Sequence, residues 1–160
     1  MNLRKFNTLI LAGAFILVSH QVMAHGVKCG DITVAHPYST PTIGSVTTGS
    51  VYFMNIMNNG KELDQLIDAR ADVSSSVEMH QMSLENNIMR MRAVSEVKLP
   101  PGYEVVFKHG QANGFHLMLI NLKKPLKVGG KFPITLKFKR AGDCMAEVWV
   151  EEPKLEMHQH

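Results

Sequence analysis

The periodicity of this chain constrains its fold more than any other feature. Short runs rich in Val, Ile, Thr, Phe and Tyr alternate with turn residues at roughly ten-residue intervals, the pattern of a sandwich or barrel. No segment sustains a 3.6-residue apolar repeat. Strands are expected at residues 31–36, ended by Pro37, and at 49–58, closed by the hairpin signal Asn58-Asn59-Gly60. Strands at 63–71, 76–84 and 88–94 follow, the last two joined by Glu85-Asn86-Asn87. Pro100-Pro101-Gly102 turns the chain into 103–108, expected to pair with 116–122. Gly129-Gly130 introduces 131–139, and Ala141-Gly142-Asp143 introduces 145–151. The expected fold is all-β, a Greek-key β-sandwich.

The first 24 residues read differently. Arg4 and Lys5 precede an apolar run over 9–18, and Ser19 to Ala24 follows with small or β-branched residues where a signal peptidase reads. The run is far shorter than the ~20 residues a membrane span needs. Residues 1–24 are therefore expected to be a secretory signal cleaved after Ala24. That leaves a soluble, exported domain over 25–152 and a short tail over 153–160, with no later membrane span. The signal carries two of the seventeen basic residues and none of the fourteen acidic ones, so the remainder has a net charge of +1. A nearly neutral domain offers no electrostatic case for nucleic acid or an anionic membrane. The lysines between Lys123 and Lys139 read as the solvated face of strands, with a docking patch for an acidic partner as the alternative. Cys29 and Cys144 are the two cysteines. In an exported chain they are expected to form one disulfide between terminal strands, the alternatives being copper ligands or a redox pair.

Chemistry concentrates in the middle of the chain. Glu78-Met79-His80-Gln81-Met82 is followed by Met89-Arg90-Met91 and then by Phe115-His116-Leu117-Met118. Thioether sulfur and imidazole suit Cu(I), whereas harder metals prefer carboxylates. The carboxylates of this region, Glu78, Glu85, Glu96 and Glu104, are expected to sit apart from the His/Met pairs. In a strand, residues two apart share a face, so His116 and Met118 form one pair, His80 and Met82 another, and Met89 and Met91 a third. The bland alternative is that these methionines only fill a core.

These residues resemble the periplasmic PCu(A)C copper chaperones. That family's pattern is His, ten residues, Met, about twenty-one residues, then His-x-Met. Here His80 is followed after ten residues by Met91, and later by His116-Leu117-Met118. Asn86 to Arg92, Leu99-Pro100-Pro101-Gly102 and Gly114 to Leu122 are similar as well, and the likeness runs from about Gly30 to Glu151. Twenty-four residues separate Met91 from His116, three more than usual, and the extra length falls in the polar loop 108–114. The resemblance implies a cupredoxin-like or immunoglobulin-like sandwich that binds one Cu(I) through His80, Met91, His116 and Met118. It also implies delivery of copper to the dinuclear centre of cytochrome oxidase, with an oxidase subunit or a thiol-bearing assembly factor as recipient. No catalytic constellation is evident, so the chain is not expected to be an enzyme.

Accessory ligands are conceivable at three places. His109 lies in the lengthened loop. Met157, His158 and His160 make a terminal His/Met cluster that suits Cu(II). His25 would become the mature N-terminus, offering an amine and an imidazole together. This last feature motivates a rival reading, a small copper-dependent oxidase. Copper buffering for resistance, and an exported sandwich without metal, are the remaining alternatives.

Overall fold

A computed structural model describes residues 25–108 and 113–152. The expected signal segment, the tail with Met157, His158 and His160, and His109 all lie outside the described residues. Every regular element described is a strand: β1 (Gly26–Cys29), β2 (Ile32–Ser39), β3 (Gly49–Asn58), β4 (Asp64–Arg70), β5 (Ser76–Glu85), β6 (Ile88–Val94), β7 (Val97–Leu99), β8 (Glu104–Phe107), β9 (Phe115–Ile120), β10 (Lys131–Phe138) and β11 (Gly142–Val150). Among the described residues no helix is long and apolar enough to cross a membrane.

The strands form one hydrogen-bonded path in the order β6-β5-β9-β3-β2-β11-β10-β4-β7, with β1 added to β2 and β8 to β3. Leu66 and Leu99 at one end of that path share a single buried cluster with Met79 and Leu117 at the other. The path must therefore roll back over itself, giving two layers with the core between them. Alternation supplies that core: in β10 the residues Phe132, Ile134, Leu136 and Phe138 are buried while Lys131, Pro133 and Lys137 are exposed. Cys29 and Cys144 are bonded, S–S 2.03 Å, and tie β1 to β11.

Three expectations need correction. β2 does not stop at Pro37 but runs to Ser39. Pro37 falls between the last residue paired with β1, Ala35, and the first paired with β11, Tyr38, so its missing N–H sits near a break in the flanking pairing. The segment 58–60 does not make a hairpin, since β3 and β4 are not partners. The Asn58 amide instead donates to the carbonyls of Glu62 and Leu99, and Asn59 donates to Asp31 and Thr33. These bonds hold the chain as it crosses between layers. Finally, β8 and β9 do not pair with each other. Both pair with β3, β9 along Gly49–Val51 and β8 from Phe53 to Met57, because one ten-residue strand offers an edge long enough for two short ones.

The β5–β6 hairpin is as expected. Asn86 and Asn87 both take positive φ, 50° and 63°, which is what a two-residue turn between twisted antiparallel strands requires. The β10–β11 hairpin closes on Gly142, φ 79°, where a side chain would be strained.

Candidate metal site

The tight Asn86-Asn87 turn fixes the register of β6 on β5, and β9 pairs along the other edge of β5. His80 lies directly opposite His116 across β5 and β9. Met82 lies opposite Met91 across β5 and β6, and Glu78 lies opposite Met118. Residues 78, 80 and 82 share one face of β5, so His80, Met82, Met91, His116 and Met118 occupy one patch on the side away from the core. Met79, Leu117 and Leu119 point the other way and join the buried cluster. All four residues that the sequence pointed to are thus brought to three adjacent strands.

The patch is graded from buried to open. His116 is almost wholly buried, His80 has 14% of its side chain exposed, and Met91 is exposed at 58%. The two imidazoles lie with centroids 5.4 Å apart and planes at 65°. His80 Nε2–H donates to Glu78 Oε2 at 2.9 Å, which leaves Nδ1 as the lone-pair atom. That Nδ1 is buried and has no hydrogen-bond partner. A buried acceptor without a donor is costly unless a cation meets it, and a ring N–H on a carboxylate is the arrangement that orients metal-ligating histidines. On the far side of β9, Tyr52 packs with its ring centroid 6.1 Å from that of His116. Burial pushes the Tyr52 phenol up from its ordinary 10.0, against a smaller opposing hydrogen bond with Ser50. At the hairpin end, Arg90 and Arg92 both pair with Glu85, at 3.3 and 2.9 Å, so the rim cations are matched by a carboxylate.

Two residues of the patch were not foreseen in these roles. Glu78 does not sit apart from the His/Met pairs: it is two residues before His80 on the same face and bonds to its ring. Met82, 7% exposed and outside the core cluster, adds a third thioether opposite Met91. Period-two spacing around His80 carries both signals. His25 is not part of this patch. It lies beyond β9, β3 and β2, beside β1, where His36 and Glu151 accompany it. A surface cleft of about 660 Å³ between Asp68 and Val77, with Lys123, contains none of these residues.

The family described as "Putative lipoprotein LpqE-like" matches residues 32–150, from the start of β2 to the end of β11. A curated relative, "Putative lipoprotein Lxx21020" of Leifsonia xyli subsp. xyli, is 31% identical over 101 residues, or 62% of this chain. The chain spans about 59% of that relative's length. Among solved structures, the apo PCuAC domain from PmoF1 superposes with a TM-score of 0.68 at 25% identity, covering 81% of this chain and 100% of that one. The copper-bound PCuAC domain from PmoF2 gives 0.68 at 26% identity, over 81% and 99%. Apo-DR1885 from Deinococcus radiodurans shares the fold, with a TM-score of 0.58 at 20% identity over 95% and 94%. The family match spans ten of the eleven described strands in full, together with the His/Met patch, and the chain therefore belongs to the LpqE-like family, with a fold of the PCuAC type.

Proposed function

We propose that the chain is an exported copper carrier that binds one Cu(I) through His80, Met91, His116 and Met118. The observation that carries this reading is the facing of His80 and His116 across β5 and β9, with thioethers on the same open face and the buried His80 Nδ1 lone pair beside them. The copper-bound relative from PmoF2, similar in fold and 26% identical, supports copper as the cargo. Lipoprotein relatives support export, with residues 1–24 as the signal.

The donor set suits carriage. Neutral thioethers and imidazoles hold a soft monovalent ion without building up negative charge, and they yield it to thiolates. The imidazoles lie deep and Met91 lies at the surface, so an incoming ligand meets the thioether side first. A recipient's sulfur could then enter before both imidazoles leave. Binding and release need no catalysis, and the chain acts as a chaperone rather than an enzyme. Its recipient is an oxidase subunit with a dinuclear copper centre, or a thiol-bearing assembly factor that serves it.

A Cu(I) competition titration under reducing conditions tests this reading, comparing the exported chain with its His116→Ala/Met118→Ala variant. One tightly held Cu(I), lost in a variant with an unchanged circular dichroism spectrum, is the expected result. Equal binding by both proteins would remove the site from this patch.

A further inference from the structure

We propose that His25, His36 and Glu151 form a second metal site, separate from the His/Met patch and selective for Cu(II). One candidate ligand atom from each residue can be chosen so that all three lie within 4.8 Å of one another, and all three side chains are half-buried. Of this trio the sequence pointed to His25 alone, because His36 lies within β2 and Glu151 follows the last strand, far away along the chain.

The local hydrogen bonds orient the rings for coordination. His25 Nε2–H donates to the Pro37 carbonyl at 3.0 Å, which leaves Nδ1 to accept a metal. The His36 ring bonds Glu151 Oε2 at 3.1 Å, and the His36 backbone N–H donates to the His25 carbonyl at 2.8 Å. His36 adopts φ 46°, a left-handed conformation that is uncommon outside glycine. Along β2, Val34 is buried and so is Pro37, three residues on. The inward-outward phase therefore shifts at His36, and this keeps the His36 ring out of the core. Strained backbone of this kind concentrates at ligand sites.

His25 is further fixed by stacking on Trp149, centroids 3.9 Å apart and planes at 9°. Trp149 is itself held, its Nε1–H donating to Glu147 and the Lys131 ammonium lying 3.8 Å above its ring. A cleft of about 240 Å³, lined by residues that include His25, Pro37 and Glu147, opens beside the trio.

Two imidazoles and a carboxylate are borderline and hard donors. They favour a divalent ion over Cu(I), and among the common divalent ions Cu(II) binds such sets most tightly. Cleavage after Ala24, which rests on the export reading above, would add the His25 α-amine to the same ring's Nδ1 as a chelate. The rings of Tyr52 and Tyr38 stand between this site and His116, with successive centroids 6.1, 5.4 and 5.5 Å apart from His116 through to His36. Each ion would therefore sit on its own donors.

Trp149 is the single tryptophan of the chain, so its emission reports on His25. Cu(II) is titrated without reductant into the exported chain, and Trp149 fluorescence is followed. Saturable quenching at one equivalent is expected. It should persist in the His116→Ala/Met118→Ala and His158→Ala/His160→Ala variants. His36→Asn, which tolerates a positive φ, and Glu151→Gln, which lies beyond the last strand, should each weaken it at least tenfold. Quenching unchanged in both of these variants would overturn the site. So would quenching lost only with the tail or patch variants. The Cu(I) titration is a separate readout, so failure of the carrier reading would leave this result standing, and the converse also holds.

Discussion

Met79 and Met91 lie on strands that pair with each other, yet only one of them can be packing. Met79 is 8% exposed and belongs to the core cluster, whereas Met91 is 58% exposed on the opposite face. Met79→Ala should cost about 2–5 kcal/mol in chemical denaturation and leave Cu(I) affinity unaltered. Met91→Ala should shift stability by no more than about 0.5 kcal/mol and weaken Cu(I) at least tenfold by competition titration. A core-only role for both methionines predicts no copper effect from either. Parity within strands put the His/Met pairs on shared faces, and the family resemblance singled out four of them as candidate ligands; the structure brings those four to one patch. Glu78 was misplaced because it was judged as a separate residue and not by its two-residue step from His80. His36 was missed because its shifted phase depends on a backbone conformation that composition does not reveal. Tyr52 carries a further consequence. Its phenol pKa is raised in the fold, so the unfolded chain ionises first as pH rises. That contribution is fully present below pH 10.0, the ordinary value, and is lost above it as pH climbs through the raised one. Melting temperature should fall more steeply above pH 10.0 in the native chain than in Tyr52→Phe.

At the scale of elements, local turn chemistry was legible and partner choice was not. Asn86-Asn87 announced the β5–β6 hairpin because two consecutive positive φ values favour asparagine. Asn58-Asn59-Gly60 looked similar, but the Asn58 side chain is spent on Glu62 and Leu99 and the strands on either side part company. β1 and β7, four and three residues long, are too short to show an alternation of their own. The disulfide acts at this scale. It joins half-buried Cys29 on β1 to wholly buried Cys144 on β11, across a separation of 115 residues. Replacing both with serine should lower stability by about 3–5 kcal/mol in a denaturant titration, from the freedom restored to the unfolded chain. The His/Met patch on β5, β6 and β9 contains neither cysteine, so the folded variant should keep the Cu(I) affinity proposed for it. Cu(II) quenching of Trp149 should weaken, because β1 carries His25 at its start.

For the molecule as a whole, the sandwich class followed from strand spacing, while the order of strands did not. That order depends on which apolar faces meet across the core, and strands of similar composition can meet in many ways. The parallel contact of β2 with β11 is the least local of these choices, with Tyr38 beside Trp149 and Ser39 beside Val150. A ribosome or an export channel delivers β2 among the first strands and β11 last. By Met118 every one of the four proposed Cu(I) ligands has already emerged, yet β2 still lacks its partner β11 and β10 has not been made. Non-local pairings of this kind are slow to form. A nascent chain therefore carries all four proposed ligands well before the sandwich that backs them is complete. A product cut short ahead of Gly142 would be a loose, protease-accessible thread of methionines and histidines, fit for disposal rather than for holding metal.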